Sequence, residues 1–350
     1  MEWTKQADGV FRGGGVKGLG LAGALEGFAA HPTYPVTQWV NVAGASAGAI
    51  LASYMAVDKS PNVGEKMVAL LDPEKLASFQ DFPLRQKYLG GIPRLVLKHG
   101  MAPGKAFEQW FDDVLGGATF SVAKTDDDWQ HSRLKLIACD VTNRKLLVLP
   151  EDLPKYREPG STEPLDPDKF KISRAARMSM SIPYFFEPIE LELVSTGKRA
   201  TIVDGGTLSN FPVWIFDVGE PKRPTFGFTL EGGSGVGEGA NRLARLLPWG
   251  GRLGFDIFHT AQEAWDDRFV THTTKVRTLT VDATIKDPDG KLYRVNTTDF
   301  KLTQERQRAL IENGRRAATD FLDRFDMANY LNTLHAQLPV TAPVEPVPAR

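Results

Sequence analysis

Cysteine is almost absent from this sequence, because Cys139 is the only one among 350 residues. No internal disulfide can form, so the fold does not depend on one, and the composition fits a reducing compartment. The first residues of the chain also lack the basic and then apolar pattern of a secretory signal. We therefore expect a cytoplasmic protein, with peripheral attachment to a membrane left open.

The sequence also lacks an excess of charge of either sign. The formal net charge is −1, and basic residues are interspersed with acidic ones rather than gathered into a run. Proteins that bind nucleic acid usually carry a basic run or patch. We therefore expect no nucleic-acid partner.

Long apolar runs are absent apart from one ambiguous stretch. Residues 39–57 carry no charge over 19 positions, which approaches the length of a membrane span. Polar residues and glycines interrupt it, namely Asn41, Gly44, Ser46, Gly48 and Ser53. We interpret the stretch as a strand, a tight turn and a helix inside a globular domain.

Predicted strands alternate with predicted helices along the chain. Apolar patterning predicts strands at residues 9–12, 39–43, 134–139, 145–149, 189–194, 200–203, 225–230 and 276–281, and helices at 19–30, 49–57, 107–115 and 302–325. Residues 150–168 are rich in Pro, Glu and Asp and are predicted to form a surface loop. The alternation is typical of a three-layer α/β/α fold with a mostly parallel central sheet. Residues 1–335 are predicted to be one domain, and the Pro-rich residues 336–350 a disordered tail.

The first motif with a chemical meaning is Gly44-Ala45-Ser46-Ala47-Gly48, which matches G-x-S-x-G. A predicted strand enters this motif and a predicted helix leaves it, which is the context of a nucleophile elbow. So sharp a turn requires small neighbours beside the serine, and all four are Gly or Ala. An inert turn between a strand and a helix has the same local pattern. The motif alone therefore leaves both interpretations open.

A run of glycines is the second motif. Gly13, Gly14 and Gly15 follow the first predicted strand, and Lys17 and Gly18 come shortly after them. Glycines leave backbone N–H groups open, and with a helix N-terminus behind them such donors can bind an oxyanion or a phosphate.

Two nucleotide-binding interpretations of the same run fit poorly. The run matches G-x-G-x-x-G, but no acidic residue lies about 20 positions further on, as dinucleotide binding requires. The pattern also recurs at Gly18, Gly20 and Gly23, which shows how weak it is. A P-loop needs Lys-Ser or Lys-Thr after its last glycine, where this chain has Leu19 and Gly20.

The third motif is Asp204-Gly205-Gly206, which follows the predicted strand at residues 200–203. Taken alone, an Asp-Gly pair favours an ordinary turn. Its significance comes from its position downstream of the other two motifs.

Together the motifs resemble those of the patatin-like phospholipase family. The order is G-G-G-x-K-G, then G-x-S-x-G about 30 residues later, then D-G-G far downstream. Residues 177–183, R-M-S-M-S-I-P, also resemble the family segment before the acidic motif, and residues 204–212, D-G-G-T-L-S-N-F-P, resemble the acidic motif itself. The resemblance covers about residues 9–215, and Lys17 conforms to the Arg or Lys that is common at its position.

The resemblance implies a lipid acyl hydrolase with a Ser-Asp dyad. Ser46 matches the serine that attacks an ester carbonyl, and Asp204 matches the aspartate that takes its proton and later activates water. The glycine loop that forms the oxyanion hole in the family matches Gly13, Gly14 and Gly15. The N–H groups of Gly14 and Gly15 would donate hydrogen bonds to the oxyanion, and Gly13 would shape the turn. The remaining matches are Lys17, Gly18, Gly44, Gly48, Gly205 and Gly206. The implied substrates are acyl esters of phospholipids, lysophospholipids or neutral lipids, and the sequence selects none of them.

Two alternatives stay open at this point. An α/β-hydrolase esterase with a Ser-His-Asp triad has the chain order Ser, acid, His, which Ser46, Asp204 and either His259 or His272 satisfy. The six histidines, however, lie in no motif. The other alternative is a non-catalytic lipid-binding scaffold, which the intact motifs disfavour.

We expect neither a metal nor a nucleotide cofactor. The chain has no H-E-x-x-H motif, no paired Cys-His set and no complete P-loop. Residues 126–128 are three adjacent aspartates, which cannot all face one ion.

Residues 231–254 are predicted to contact a membrane surface. The segment begins with a glycine-rich run and continues with three leucines, two arginines and a tryptophan, which are Leu243, Leu246, Leu247, Arg242, Arg245 and Trp249. Apolar residues beside Arg and Trp suit the head-group region of a bilayer. A core helix after a loop fits the same pattern equally well.

Overall fold

The computed structural model of this chain describes residues 3–60, 100–125, 132–217, 222–231, 272–287, 289–295 and 302–335, with the single positions 62, 64, 66, 70 and 299. The strands are β1 (Gln6–Phe11), β2 (Gln38–Ala45), β3 (Gly100–Ala102), β4 (Leu134–Asp140), β5 (Lys145–Leu149), β6 (Tyr156–Arg157), β7 (Tyr184–Phe186), β8 (Ile189–Leu193), β9 (Arg199–Asp204), β10 (Thr225–Glu231), β11 (Thr278–Asp282), β12 (Thr284–Lys286) and β13 (Leu292–Arg294). The α-helices are α1 (Gly18–Ala30), α2 (Ala47–Val57), α3 (Lys105–Val114), α4 (Ile172–Ser179), α5 (His272–Lys275), α6 (Gln304–Asp323) and α7 (Met327–His335).

Nine of these strands form one sheet. Their order is β11-β10-β1-β2-β4-β9-β8-β6, and β5 also pairs with β4. The pairs from β11 to β4 are parallel. Strands β5, β9, β8 and β6 extend the sheet with antiparallel pairs. The predicted α/β fold around a large, mostly parallel sheet is confirmed.

Neighbouring residues of the central strands point to opposite faces of the sheet, as the pleat requires. Val42 and Leu136 join the larger hydrophobic core, to which α1, α2, α3, α4, α6 and α7 contribute. Ala43 and Ile137 join a smaller cluster that residues 211–216 cover. Burial on both faces explains why the central strands are apolar almost throughout.

Helices α1 and α6 cross at very short range because glycines line their contact. A Cβ atom at Gly23 would lie 2.1 Å from the carbonyl oxygen of Ile311. One at Gly314 would lie 2.0 Å from the carbonyl oxygen of Gly20. Two glycines of the second G-x-G-x-x-G match, Gly20 and Gly23, thus serve helix packing.

The predicted strands and helices are all present, with ends that shift by about three residues at most. The predicted surface loop at residues 150–168 is in part wrong. It contains a short 3₁₀ helix at Leu153–Lys155 and strand β6, and both Leu153 and Tyr156 are buried. The cause is the pairing of β6 with β8, which carries these apolar side chains into the core.

None of the helices in the described part of the chain is long and apolar enough to cross a bilayer. The predicted tail at residues 336–350 lies outside the described residues. The predicted extent of the domain, residues 1–335, therefore stays a prediction.

Candidate active site

Ser46 stands on the turn between β2 and α2. Its φ of 53° and ψ of −123° lie in a region that non-glycine residues rarely adopt, at a cost of about 1–3 kcal/mol. Strand β2 ends at Ala45 and α2 begins at Ala47, so a single residue turns the chain. The predicted strand, turn and helix are therefore confirmed, and the serine sits at the sharpest point.

The two glycines of the G-x-S-x-G motif are required by close backbone contacts. A Cβ atom at Gly44 would lie 2.2 Å from the carbonyl oxygen of Gly48. One at Gly48 would lie 2.2 Å from the carbonyl oxygen of Phe11 in β1. The residues before and after Ser46 thus pack closely against each other and against β1, so neither glycine position has room for a side chain.

Asp204 ends strand β9 and precedes the short 3₁₀ helix Gly205–Thr207. Its Oδ1 accepts a hydrogen bond of 2.7 Å from the Gly206 N–H. Its Oδ2 is buried and has no hydrogen-bond partner of standard geometry among the described residues. One carboxylate oxygen therefore orients the side chain while the other is left for a further donor.

Ser46 follows the end of β2, and Asp204 is the last residue of β9. These two strands flank β4, and the two residues lie at the same level of the sheet. Ala45 is in register with Ile137, so Ser46 comes opposite Ala138. Ala138 is in turn in register with Asp204. Two strand spacings separate the chains, which is roughly 10 Å. The small side chain of Ala138 leaves the space between them open.

Burial raises the pKa of Asp204 to about 7, whereas the Ser46 hydroxyl and the Gly206 N–H act to lower it. The hydroxyl is thus close enough to act on the carboxylate, although no bond of standard geometry reaches Oδ2. Catalytic hydrogen bonds are often long in a free enzyme and tighten with substrate bound. A carboxyl with a pKa near 7 is suited to accept a proton at neutral pH.

The glycine run contacts the nucleophile elbow directly. A Cβ atom at Gly13 would lie 2.9 Å from the Cβ of Ser46. The N–H of Gly13 donates to the carbonyl oxygen of Asn210 at 3.1 Å, so it is not available to an oxyanion. We find no hydrogen bond from the N–H of Gly14 or Gly15 to any other described residue. The available donors are therefore Gly14 and Gly15, and Gly13 shapes the turn.

The two other residues of the glycine motif differ in their surroundings. Lys17 is buried, and its pKa is lowered by burial first and then by the positive charges of Arg294 and Arg12. A Cβ atom at Gly18 would meet only the Cβ of Ala47, at an ordinary contact distance of 3.6 Å. No steric reason for a glycine at position 18 is therefore found.

Arg177 and Asn210 support the candidate site, although the sequence predicted no role for either of them and the resembling segments contain both. Arg177 is buried and donates to the carbonyl oxygens of Pro103 and Glu187 at 2.9 and 2.7 Å. Asn210 binds the glycine run through its backbone and its side chain. Arg177 could have been found from the sequence, because it is a charged residue in a segment of otherwise apolar or small residues.

His31 is the one histidine whose side chain the structure describes, and it lies far from Ser46. It follows the C-terminal end of α1, whereas the glycine run precedes the N-terminal end, about 20 Å away along the helix. Its ring bonds Asp323 at 3.2 Å and accepts the Tyr34 N–H at 3.0 Å. The side chains of His259 and His272 lie outside the described residues, so a triad with either one is untested.

Two other predictions also concern residues outside the described ranges. The three aspartates at 126–128 are among them, and so is the membrane-contact segment beyond Glu231, the last residue of β10. Within the described ranges, no group of three or more His, Cys, Asp or Glu side chains is placed to hold a metal ion.

The sequence of this chain is similar to those of known proteins. A family model described as patatin-like phospholipase matches residues 9–217. The Bacillus subtilis (strain 168) protein YqhO, described as uncharacterized, is 38% identical over 325 residues, which are 91% of this chain and 98% of that protein.

Two solved structures are more distant. VipD from Legionella pneumophila is 15% identical with a TM-score of 0.46, over 92% of this chain and 67% of that one. The type III effector ExoU of Pseudomonas aeruginosa is 16% identical with a TM-score of 0.44, over 92% of this chain and 54% of that one.

Proposed function

The chain belongs to the patatin-like phospholipase family, and on that basis we propose that it is a lipid acyl hydrolase that cleaves carboxylic esters. Ser46 is the nucleophile, Asp204 is the base, and Gly14 and Gly15 form the oxyanion hole. One observation carries the proposal. The buried Oδ2 of Asp204, which has no hydrogen-bond partner of standard geometry in the described part of the chain, lies level with a serine held in a rare backbone conformation.

The first half of the reaction acylates Ser46. Its Oγ attacks the ester carbonyl carbon while its proton passes to Oδ2 of Asp204. The carbonyl oxygen becomes an oxyanion and accepts hydrogen bonds from the N–H groups of Gly14 and Gly15. The C–O bond to the alcohol then breaks, and the proton moves from Asp204 to the departing alcohol oxygen.

The second half releases the fatty acid. Water attacks the acyl carbon and gives its proton to Asp204, and the oxyanion forms again at the same two N–H groups. The bond between the acyl carbon and Ser46 Oγ then breaks, and Ser46 recovers its proton from Asp204. One carboxylate thus serves as base and acid in both halves.

A lone carboxylate is ordinarily a weak base for a hydroxyl. Here burial raises the pKa of Asp204 to about 7, so the proton transfer from Ser46 is less unfavourable. The residue in register with Asp204 on β4 is Ala138, whose small side chain leaves room for the direct contact that the transfer needs.

Substitution of the two residues tests the dyad. We expect Ser46→Ala and Asp204→Asn each to abolish hydrolysis of a chromogenic short-chain ester, whereas His31→Ala retains most of it. Activity that survives Asp204→Asn would overturn the dyad. Loss of activity in a folded His259→Ala or His272→Ala variant would favour the triad instead.

The substrate class is a lipid with an ester-linked acyl chain, as in phospholipids, lysophospholipids and neutral lipids. A panel of these lipids, assayed for released fatty acid with Ser46→Ala as the blank, identifies the preferred head group and acyl position. Turnover of none of them above the blank would contradict a lipid acyl hydrolase.

We also infer peripheral membrane contact through residues 231–254, on the sequence pattern of Leu, Arg and Trp in that segment. Replacement of Leu246, Leu247 and Trp249 with Ser should reduce binding to liposomes and turnover of vesicle lipid. Hydrolysis of a soluble ester should change little. Equal losses on both substrates would mean that these residues stabilise the fold.

A further inference from the structure

The N–H of Ser46 is held by a side chain from a different part of the fold. It donates to the hydroxyl of Ser179, the last residue of α4, at 3.1 Å. That hydroxyl donates in turn to the carbonyl oxygen of Ile137 in β4 at 2.6 Å. Ser179 is fully buried, so the two bonds form without competition from solvent.

The register of β2 and β4 explains why the Ser46 N–H binds this hydroxyl. Ala45, opposite Ile137, is the last residue of β2 in register with β4. At Ser46 the chain leaves the sheet, so its N–H moves out of the regular ladder between the two strands. The Ser179 hydroxyl stands between the Ser46 N–H and the Ile137 carbonyl, and it extends the ladder by one relayed hydrogen bond.

The same segment also holds the backbone of Asp204. The N–H of Asp204 donates to the carbonyl oxygen of Ser181 at 2.9 Å. Ser181 is itself fixed, because its hydroxyl donates to the Arg177 carbonyl oxygen at 2.8 Å and accepts a bond from the Arg177 guanidinium. Three consecutive residues, Ser179 to Ser181, thus bind the backbone N–H groups of both members of the dyad.

We propose that Ser179 is a positioning residue, whose hydroxyl holds Ser46 in its rare backbone conformation and so directs the Ser46 hydroxyl toward Asp204. The proposal rests on the proposed function, because it takes Ser46 as the nucleophile. Ser179 touches no reacting atom, and its effect passes through the Ser46 N–H.

Ser179→Ala tests the proposal, since it removes both relayed hydrogen bonds and adds no bulk. We expect the rate at which a fluorophosphonate labels Ser46 to fall on the order of 10- to 100-fold, as a misplaced nucleophile would produce. The kcat for a soluble ester should fall by a similar factor, with KM within about twofold of the wild type. Ser46→Ala, which should not be labelled, is the blank.

Ser132→Ala is the matched control. The Ser132 hydroxyl accepts the Leu134 N–H at 3.1 Å and donates to the Ala123 carbonyl oxygen at 3.0 Å, so it forms the same kind of relay. It is 1% exposed and precedes β4, five positions before Ile137. This variant should lose comparable stability but should be labelled at the wild-type rate.

Ser53→Ala is a second control. Ser53 is fully buried in α2, and its hydroxyl has no hydrogen-bond partner among the described residues. The variant loses a buried hydroxyl without losing a hydrogen bond, so its labelling rate should not change.

Two results would overturn the proposal. One is labelling of folded Ser179→Ala at the wild-type rate, and the other is an equal slowing of Ser132→Ala. If Ser179→Ala does not fold, Ser179→Cys replaces it, because a thiol keeps the shape but is only a weak donor and acceptor. Its labelling should be slowed severalfold, and a wild-type rate would count against the proposal.

Hydrogen exchange separates this proposal from the proposed function. If the wild-type protein neither reacts with the fluorophosphonate nor cleaves any ester, the proposed function fails. The exchange rate of the Ser46 amide then decides the positioning role. Faster exchange in Ser179→Ala than in Ser132→Ala supports the relay, and equal exchange in the two variants overturns it.

Discussion

Asn210 and Gly13 bind each other twice, although 197 positions separate them in the chain. The Gly13 N–H donates to the Asn210 carbonyl oxygen at 3.1 Å, and the Asn210 side-chain amide donates to the Gly13 carbonyl oxygen at 3.3 Å. The pair joins the loop after Asp204 to the glycine run at Gly13, Gly14 and Gly15. One contact therefore links the positions of the proposed base and the proposed oxyanion donors.

Asn210→Ala should weaken catalysis more than stability. The variant keeps the backbone bond to Gly13 but loses the side-chain bond, so the donors at Gly14 and Gly15 become less well aligned. We expect kcat for a soluble ester to fall by roughly 10-fold with a smaller change in KM. Asn313→Ala, which removes amide bonds to the Asp282 and Thr284 carbonyl oxygens, is the control. An equal loss of kcat in both variants would contradict the interpretation.

Activity should depend on pH through Asp204. Burial raises the pKa of this carboxyl to about 7, and only the ionised form accepts the proton of Ser46. The value of kcat/KM should therefore rise tenfold per pH unit below about pH 7 and level off above it. Initial rates on a soluble ester between pH 5 and 9 measure the profile. A plateau that already begins near pH 4.5 would show that the base is not a buried carboxyl.

Stability should depend on pH through the same group. The pKa of Asp204 is raised from 3.8 to about 7 on folding, so the folded state binds the proton more tightly than the unfolded state does. The resulting stabilisation is complete below about pH 4 and is lost as the pH rises to about 7. Asp204→Asn has no such loss. Its free energy of unfolding should exceed that of the wild type by an amount that grows across this window.

Between pH 4 and pH 8.5 the difference should grow by the order of 4 kcal/mol, since each pKa unit corresponds to about 1.4 kcal/mol. Urea denaturation at pH 4, 5.5, 7 and 8.5 measures it. Parallel curves for the two proteins across these four values would be evidence against a raised pKa.

Gly48→Ala and Gly18→Ala should have opposite outcomes. The first places a Cβ atom 2.2 Å from the Phe11 carbonyl oxygen, which forces the elbow away from β1. We expect a loss of about 3 kcal/mol or more, or no folded protein. The second meets only Ala47 at 3.6 Å, so its stability should stay within about 1 kcal/mol of the wild type. Thermal unfolding of both variants measures the difference, and similar melting temperatures would contradict the steric account.

Much of the fold could be predicted because the information is local. Strand β2, the elbow and α2 follow from one uncharged stretch in which small residues mark the turn. The two glycines of the G-x-S-x-G pattern lie at close backbone contacts, where any other residue type would place a Cβ atom too near a carbonyl oxygen. Local patterns of this kind are visible in a single sequence.

The assembly of the site could not be predicted in the same way, because it depends on register between distant strands. Nothing near Asp204 indicates that β9 runs antiparallel to β4 and pairs Asp204 with Ala138. The role of Ser179 depends on where α4 ends relative to Ile137, which its own neighbours do not specify. Local composition predicts a surface loop for Leu153 and Tyr156, because the pairing of β6 with β8 that buries them is not visible in composition.

The glycine-lined crossing of α1 and α6 has a consequence for synthesis. Helix α1 begins shortly after the glycine run, yet α6 lies far downstream of it, and Arg315 binds Glu26 across 289 positions. Synthesis proceeds from the N-terminus, so α1 leaves the ribosome long before α6 and cannot reach its final packing until α6 has also emerged. The nascent chain therefore carries Ser46 through this interval without the completed helix crossing, and we expect the proposed esterase activity to begin only after α6 has emerged.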